Sequence, residues 1–349
     1  MESILEEKQI SQKSGLEYTD EEKHIFSIIT GFFKSKILAT AISIDFFSYM
    51  AYRPRSIDEI KSQFNIPNRP LRLFLDSLVH MKLISLNNDN KYQNTGLSHR
   101  YLVKGKLSNL GDVVEMFDSL YDEFGDFTEM LFNDVPKNKT YSYFFENAKE
   151  ETEISEYSDQ MHRTSGSPAM ALSEFYDFSN SKTIIDIGGG TGKACMNLVS
   201  QYAHLNCILF DLPAVCEKAQ KELGNFWLSH RINVHSGDFF KDELPTGFDT
   251  ALMMRITHDW SIEQIKILFK KIYNSLPEGG KLMVYETFKS DDRKNPGDSS
   301  MVSLLLLTIS PNGECRTKAE IKEILLETGF SNIEFLHTIY IYSVIVATK

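Results

Sequence analysis

The sequence predicts an α/β protein of two domains, the first mainly helical and the second built on a mostly parallel sheet. Apolar strand patterns alternate with helix patterns between residues 183 and 287, which is typical of parallel strands covered by helices. The length of 349 residues also exceeds that of one typical domain. The helical pattern breaks at TSGSP, residues 164–168, so we expect domains over 1–165 and 166–349.

The N-terminal domain starts with an apolar segment, residues 24–50, that has almost no polar face. A helix of this kind must be buried, either in a core or against a second subunit. Two helix patterns follow, at residues 56–60 and 67–81, and then two strand patterns around the turn Asn87–Asn90. Helix, helix and hairpin in this order predict a winged helix.

Winged helices often bind DNA, but the charge of this chain argues against that function. The second helix carries Arg69 and Arg72 against Asp76, and the whole chain has a net charge of −11. Affinity for DNA depends on cationic contacts to phosphates, and an anionic membrane surface also needs a cationic face. We therefore expect dimerisation or substrate coverage from this domain, with neither nucleic acid nor membrane as a partner.

The cysteines and the N-terminus bear on the cellular compartment. The four cysteines form no CxxC pair and show no metal-ligand spacing, so we expect neither a metal site nor a disulfide framework. Cys195 and Cys207 lie in helix and strand patterns and are expected to be buried thiols. The chain has no apolar signal region and no run of about eighteen apolar residues. We expect a cytoplasmic protein.

A glycine-rich turn dominates the second domain. The strand pattern Thr183–Ile187 runs into GGGTG, and a helix pattern starts at Lys193, where a dinucleotide site would need its third glycine. Asp211 closes the next strand, where a carboxylate can bind both ribose hydroxyls. Asp238 and Phe239 follow the third strand and suit the edge and the face of adenine. These features predict a nucleoside ligand; the alternative is a tight turn that binds nothing.

His258 is the candidate catalytic base. It directly follows the fourth strand, at the sheet edge where ligands of such folds bind. Imidazole titrates near neutrality, which suits deprotonation of a phenol or similar hydroxyl. Glu286 closes the fifth strand on the same edge, within reach of His258. The alternative is that His258 is merely exposed and that Asp259 caps the helix starting at Ser261.

Along nearly its whole length the chain resembles the plant-type and bacterial O-methyltransferases of the caffeic acid and acetylserotonin type. The matching stretches, in chain order, are GFFKSKILATAISIDFF, the winged-helix segment, DIGGGTG, FDLPAV, SGDFF, RITHDWS, LPEGGKLMVYE and RTKAEIKEILLETGF. The resemblance implies a Rossmann-like second domain that binds S-adenosylmethionine (SAM) as methyl donor. It also implies a homodimer formed through the N-terminal domain, and methyl transfer to a hydroxyl of a small aromatic metabolite such as an aromatic polyketide.

The resemblance further implies roles for individual residues. His258 would be the general base, and Glu286 would orient it. The residues that would hold SAM are Gly188, Asp211, Leu212, Asp238, Phe239 and Arg255. The residues that would line the acceptor pocket are Met161, Leu305, Leu306 and Ser310.

One position departs from the family pattern. The family has a second glutamate directly before the Arg-Thr pair that is Arg316-Thr317 here. Cys315 stands at that position, and Glu314 lies one residue earlier. Either the loop shifts so that Glu314 serves, or Glu286 alone orients His258.

Two rival functions stay open at this point. One is an enzyme of the same fold that binds SAM but catalyses decarboxylation, hydroxylation or pericyclic chemistry. The other is a winged-helix DNA-binding protein without enzymatic activity, which would bind DNA in a salt-sensitive way and would not bind SAM.

Overall fold

The computed structural model describes residues 18–106, 108–121, 123–133, 172–173, 175–292, 294–295, 297, 299–310, 312–337 and 342–349. The chain divides into two compact units, Met1–Ser119 and Leu120–Lys349. The boundary that we predict near residue 165 falls outside the described residues and stays a prediction.

The first unit has the order of helices and hairpin that the sequence predicts. Its elements are α1 (Asp20–Ile29), α2 (Gly31–Ser43), α3 (Phe46–Tyr49), α4 (Ile57–Phe64), α5 (Asn68–His80), β1 (Ile84–Leu86), β2 (Tyr92–Asn94), α6 (Gly96–Tyr101) and α7 (Gly111–Ser119). β1 and β2 pair antiparallel, with Ser85 opposite Gln93. Leu71, Leu75 and Leu78 lie about one turn apart on α5 and are fully buried, so this face of α5 belongs to the core of the unit.

The apolar segment that opens this unit forms three helices rather than one. It breaks at Thr30 and again before α3, where Asp45 has a φ of 56°. α1 has no buried residue, and Ile28 is 64% exposed. The expected core burial of residues 24–50 is wrong for α1. It is confirmed for the second half of the segment, where Ala41, Ile42, Phe46, Phe47 and Met50 belong to the core of the unit. Burial of α1 against a second subunit stays a prediction. Over the part of the chain described, no single helix is long and apolar enough to cross a bilayer. Only α1 and α2 taken together, with a bend of 48° between them, reach the required length and apolar composition.

The second unit is a sheet with helices on both faces. Its elements are α8 (Phe127–Asn133), β3 (Thr183–Ile187), α9 (Lys193–Gln201), β4 (Asn206–Asp211), α10 (Pro213–Leu223), β5 (Ile232–Ser236), β6 (Thr250–Met254), α11 (Ile262–Ser275), β7 (Lys281–Thr287), α12 (Ser299–Ile309), α13 (Lys318–Thr328), β8 (Ser331–His337) and β9 (Tyr342–Thr348). The strand order is β5-β4-β3-β6-β7-β9-β8. Strands β3 to β7 pair in parallel, which confirms the mostly parallel sheet. β9 pairs antiparallel with β7 and β8.

Successive side chains of the central strands enter opposite cores. Ile184 and Leu252 belong to the core shared with α9 and α10, whereas Ile185 and Met253 belong to the core shared with α11 and α13. Side chains alternate along a strand, so parallel strands that are covered on both faces are apolar throughout. The carboxyl ends of β3 to β7 therefore meet at one edge of the sheet.

Candidate active site

The glycine-rich turn after β3 is packed on one side and open on the other. Gly188, Gly190 and Gly192 have φ values of 72°, 57° and 85°, in the left-handed region that favours glycine. A Cβ on Gly188 would lie 2.4 Å from Ile256 Cδ1, and one on Gly192 would lie 2.7 Å from Leu209 Cδ1. At Gly190, a Cβ would meet no atom of the described residues within 4 Å. The turn therefore leaves an open cradle at Gly190.

Asp211, at the end of β4, is held against this turn by two backbone amides. Its Oδ2 accepts a hydrogen bond from the Gly190 N–H at 2.8 Å, and its Oδ1 accepts one from the Leu212 N–H at 2.7 Å. Burial raises the pKa of Asp211 to about 6, so the carboxylate is ionised at neutral pH. Asp186 is buried beside the turn, where burial and the charge of Asp211 raise its pKa to about 7.

Asp238 and Phe239 follow β5 at the same sheet edge. Asp238 Oδ2 lies 2.8 Å from Lys241 Nζ, and its Oδ1 accepts a hydrogen bond from the Phe240 N–H at 2.9 Å. Burial raises the pKa of Asp238, but these two donors outweigh burial and hold the pKa below its usual range. The Phe239 ring packs edge-on against Trp260, with 5.7 Å between the ring centroids. A carboxylate and an aromatic wall thus lie next to each other.

His258 lies in a 3-10 turn after β6, and its ring bonds to Glu286 near the end of β7. The distance from Nδ1 to Glu286 Oε2 is 2.8 Å. The other oxygen, Oε1, accepts hydrogen bonds from Thr257 Oγ1 at 3.1 Å and from the His258 N–H at 3.3 Å. The side chain of Glu286 is 3% exposed and that of His258 is 17% exposed. One buried carboxylate therefore holds both the ring and the turn that carries it.

The charges around the ring favour imidazolium. Burial lowers the pKa of His258, but the charges of Glu286 and Asp259 outweigh burial and raise it to about 9. Asp259 Oδ2 lies 3.6 Å from Nε2, and burial raises the pKa of Asp259 to about 6. The charge of Arg255, a residue with a φ of 57°, lowers the pKa of His258. With Nδ1–H directed at Glu286, Nε2 is the nitrogen that can exchange a proton with a ligand.

Asp259 does not cap α11. Ser261 is the N-cap, because its Oγ accepts a hydrogen bond from the Gln264 N–H at 3.3 Å. The Gln264 side chain in turn accepts one from the Ser261 N–H at 3.0 Å, which completes a capping box. The alternative in which Asp259 is a cap and His258 is merely exposed is therefore wrong.

The carboxylate of Glu314 bonds elsewhere than at the ring of His258. It pairs with Lys289 Nζ and, at 2.5 Å, with Arg316 Nη1. Cys315 is fully buried, and burial raises the pKa of its thiol to about 12, so the thiol is neutral. Of the two alternatives for this segment, the contacts fit the one in which Glu286 alone bonds the ring.

The predicted acceptor residues are brought to the site in part. Ser310 is buried, and its Oγ donates a hydrogen bond to the Asp259 carbonyl at 3.2 Å, which places Ser310 beside the His258 turn. Leu305 and Leu306 are buried on α12, and Leu306 packs near Gly313, whose Cβ would lie 3.0 Å from the Leu306 Cβ. Met161 lies outside the described residues.

Three charged residues that lie in the His258 turn, or that contact it or its hydrogen-bond partner Glu314, were not among the predicted site residues. Asp259 follows His258 directly, and Lys289 lies three residues past Glu286, so their places after strand ends were a usable signal. Arg316 gave no such signal, because its bond from Nη2 to the Trp260 carbonyl, 3.0 Å long, joins residues 56 apart in the chain. Among the residues with described positions, no three His, Cys, Asp or Glu are grouped to hold a metal ion.

Comparison with known proteins gives consistent matches. A family model described as the O-methyltransferase domain matches residues 118–331. The chain is 28% identical over 308 residues to 3-hydroxy-5-methyl-1-naphthoate 3-O-methyltransferase of Streptomyces sahachiroi, covering 88% of each chain. It is 26% identical over 310 residues to the tetracenomycin polyketide synthesis 8-O-methyl transferase of Streptomyces glaucescens, covering 88% of this chain and 91% of that one.

A solved structure shows the same fold. The human N-acetylserotonin methyltransferase in complex with SAM superposes with a TM-score of 0.83 at 24% identity. The match covers 96% of this chain and 99% of the human one.

Proposed function

Since the chain belongs to the O-methyltransferase family, we propose that it is a SAM-dependent enzyme that methylates a phenolic hydroxyl of a small aromatic metabolite, with His258 as general base. The names of the two bacterial relatives refer to a hydroxynaphthoate and to a tetracenomycin polyketide, which favours an acceptor of the aromatic polyketide kind. The observation that carries the proposal is the 2.8 Å bond between His258 Nδ1 and Glu286 at the sheet edge beside the glycine-rich turn.

The residues at the strand ends fit SAM. Asp211 is ionised, and its carboxylate lies where it can accept bonds from both ribose hydroxyls. The open space at Gly190 admits a ligand close to the backbone of the turn. Asp238 and Phe239 offer a carboxylate for the adenine amino group and a ring for its face. When bound, SAM supplies a methyl group on a sulfonium, which is already a good electrophile.

The chain's own contribution is to position the acceptor and remove its proton. Nε2 of neutral His258 takes the proton of the acceptor hydroxyl, while Nδ1–H remains hydrogen-bonded to Glu286. The Glu286 carboxylate stabilises the imidazolium that forms, because it is buried 2.8 Å away. A base of this kind contributes about 10²–10⁴-fold to the rate. Because its pKa is about 9, His258 must first lose a proton near neutral pH, so activity is expected to rise with pH.

We also propose a homodimer formed through the first unit. α1 and the start of α2 expose a continuous set of large apolar side chains: Ile25, Phe26, Ile28, Ile29, Phe32 and Phe33. A soluble monomer rarely exposes such a contiguous apolar face. A second copy of the chain, which would cover this face with the same residues, accounts for it.

The test combines a cofactor titration with an acceptor screen. Purified protein is titrated calorimetrically with SAM and S-adenosylhomocysteine, then incubated with SAM and a panel of hydroxynaphthoates and other phenols while methyl gain is followed by mass spectrometry. His258→Ala should bind SAM normally and lose turnover by about 10²-fold or more, whereas His80→Ala, at an exposed histidine of α5, should lose nothing. Unchanged turnover in His258→Ala would refute the role of the base. Absence of SAM binding would refute the activity and leave DNA binding to be tested.

A further inference from the structure

The turn that carries His258 is held through three successive backbone carbonyls. The His258 carbonyl accepts a hydrogen bond from the Glu314 N–H at 2.8 Å. The Asp259 carbonyl accepts one from Ser310 Oγ at 3.2 Å, and the Trp260 carbonyl accepts one from Arg316 Nη2 at 3.0 Å. The donors are Ser310 and two residues of the segment 312–316, which follow α12, so the position of this segment sets the position of the turn.

A cluster of three charged side chains sets the position of that segment. Glu314 bonds Lys289 Nζ through one carboxylate oxygen and Arg316 Nη1 through the other. Lys289 also donates its backbone N–H to the Arg316 carbonyl at 2.9 Å. Lys289 lies two residues past the end of β7, and Glu286 lies within β7. The cluster therefore joins the segment to the strand that carries the partner carboxylate of His258.

The exposure of each side chain indicates which contacts of the cluster contribute most to holding the turn. The side chain of Arg316 is 10% exposed and that of Glu314 is 45% exposed. An exposed ion pair contributes little by itself. The planar guanidinium of Arg316, however, bonds Glu314 with one nitrogen and the Trp260 carbonyl with another, which a lysine cannot do in the same geometry. The cluster thus holds the turn more through the directions of its hydrogen bonds than through its net charge.

The ring of His258 depends on this placement of its backbone. The charged groups that act on the ring are Glu286, Asp259 and Arg255. Cys315 stands where the family has its second glutamate, and it is a neutral buried thiol that cannot hold an imidazolium by charge. The alignment of Nδ1 with Glu286 therefore relies on the backbone of the turn, which Glu286 holds at the His258 N–H and which the three donors hold at the carbonyls of residues 258–260.

We propose that Lys289, Glu314 and Arg316 form a positioning clamp that aligns His258 with Glu286 through the backbone of residues 258–260. The inference rests on the proposed role of His258 as the base. These three residues are positioning residues, since they act on the base and not on the acceptor. A displacement of about 1 Å at a reacting group can cost about 10²-fold in rate, so loosening of the clamp is expected to lower kcat by about 10-fold to 10²-fold.

The experiment compares Glu314→Gln with Lys289→Gln, which remove opposite charges from the same clamp. The first readout is the titration of the His258 ring by NMR in the SAM-free protein, with its resonance identified by its absence in His258→Ala. If the clamp aligns the ring with Glu286, both variants should lower the titration midpoint, by about one pH unit, a tenfold change in the protonation constant. A through-space effect of charge alone would lower the midpoint in Glu314→Gln and raise it in Lys289→Gln. Opposite shifts, or no shift in either variant, would overturn the clamp.

Turnover with the phenol that the unaltered enzyme methylates gives the second readout. We expect a lower kcat and an unchanged KM for SAM in Glu314→Gln, Lys289→Gln and Arg316→Lys. Lys289→Arg keeps the positive charge and should keep the kcat of the unaltered enzyme. Glu263→Gln is the matched control, because it removes an exposed carboxylate at the start of α11 and should change neither readout. If kcat stays unchanged in the clamp variants while His258→Ala is inactive, the clamp is wrong and the base stands. If His258→Ala keeps full turnover, the proposed function of His258 fails instead.

Discussion

Replacement of Glu286 by glutamine is expected to lower the pKa of His258 from about 9 toward its ordinary value of 6.5. Glu286 exerts the largest charge effect in favour of imidazolium, and water screens it little because its side chain is 3% exposed. Without this charge, the burial of the ring, which favours the neutral form, is opposed by Asp259 alone. A pKa of 9 instead of 6.5 corresponds to about 3 kcal/mol in favour of imidazolium, at about 1.4 kcal/mol for each pH unit.

The assay is an NMR titration of the His258 ring in the SAM-free protein, together with kcat measured across the same pH range. Glu286→Gln should titrate at least about one pH unit lower than the unaltered protein and should also lose turnover, because the imidazolium formed in the reaction is no longer stabilised. Asp259→Asn is the matched control, since it removes the second carboxylate near the ring and should give a smaller downward shift. A midpoint that stays near 9 in Glu286→Gln would refute the reasoning.

Four further outcomes are expected. Asp211→Asn should raise the Kd for SAM at least about tenfold by calorimetry, because a charge-assisted bond is worth about 1.5–3 kcal/mol; an unchanged Kd would remove Asp211 from the site. Gly192→Ala should lower the unfolding free energy by about 1–3 kcal/mol in urea, since its φ of 85° and a 2.7 Å clash with a leucine both oppose a side chain. Phe33→Asp should halve the mass found by sedimentation, whereas Tyr52→Asp, at a residue 94% exposed outside the apolar face, should leave it unchanged. The stability that the Glu286 pair gives should be complete below pH 6.5 and lost as pH rises through about 9, because the folded pKa of the histidine is raised; the difference in unfolding free energy between the unaltered protein and Glu286→Gln should follow that course.

The sheet and its edge were predictable because their signals are local. β3 (Thr183–Ile187) and β7 (Lys281–Thr287) lie within the stretch 183–287 where the sequence predicts alternating strands and helices, since each is mostly apolar and buried on both faces of the sheet. Parallel strands bring their carboxyl ends to one edge. The meeting of Asp211, His258 and Glu286 at that edge therefore follows from chain order alone.

Two parts of the fold were not predictable from periodicity. α12 is apolar on all sides, as in SSMVSLLLLTI, so its sequence shows no amphipathic pattern that would separate a helix from a strand or loop. The N-terminal apolar segment was correctly predicted to be helical, but its predicted core burial holds for the end of α2 and for α3 and not for α1, because composition cannot tell a buried apolar helix from an exposed one.

The contacts that hold the backbone of residues 258–260 could not be predicted from the sequence either. The bond between Arg316 and the Trp260 carbonyl and the pairing of Glu314 with Lys289 join distant segments, and neither has a spacing that a local pattern reports. Counting residues from the family pattern left Glu314 and Cys315 as open alternatives. Only the three-dimensional contacts separate them, since the carboxylate one residue from the expected position points to two cations.

The burial of Glu286 explains how the proposed base His258 and this carboxylate would act as one unit. The carboxylate accepts bonds from Thr257 Oγ1, from the His258 N–H, from the ring Nδ1 and, at 3.3 Å, from the Thr287 N–H. Several donors satisfy the oxygens of a buried carboxylate and hold it in place, whereas the loss of a donor leaves a buried oxygen unsatisfied at a cost in free energy. A proton that arrives at Nε2 therefore creates an imidazolium beside the Glu286 carboxylate. The position of this carboxylate is already fixed, so it does not have to reorganise. For that reason the pair favours proton transfer from the acceptor, and for the same reason it holds a proton up to about pH 9 when no acceptor is present.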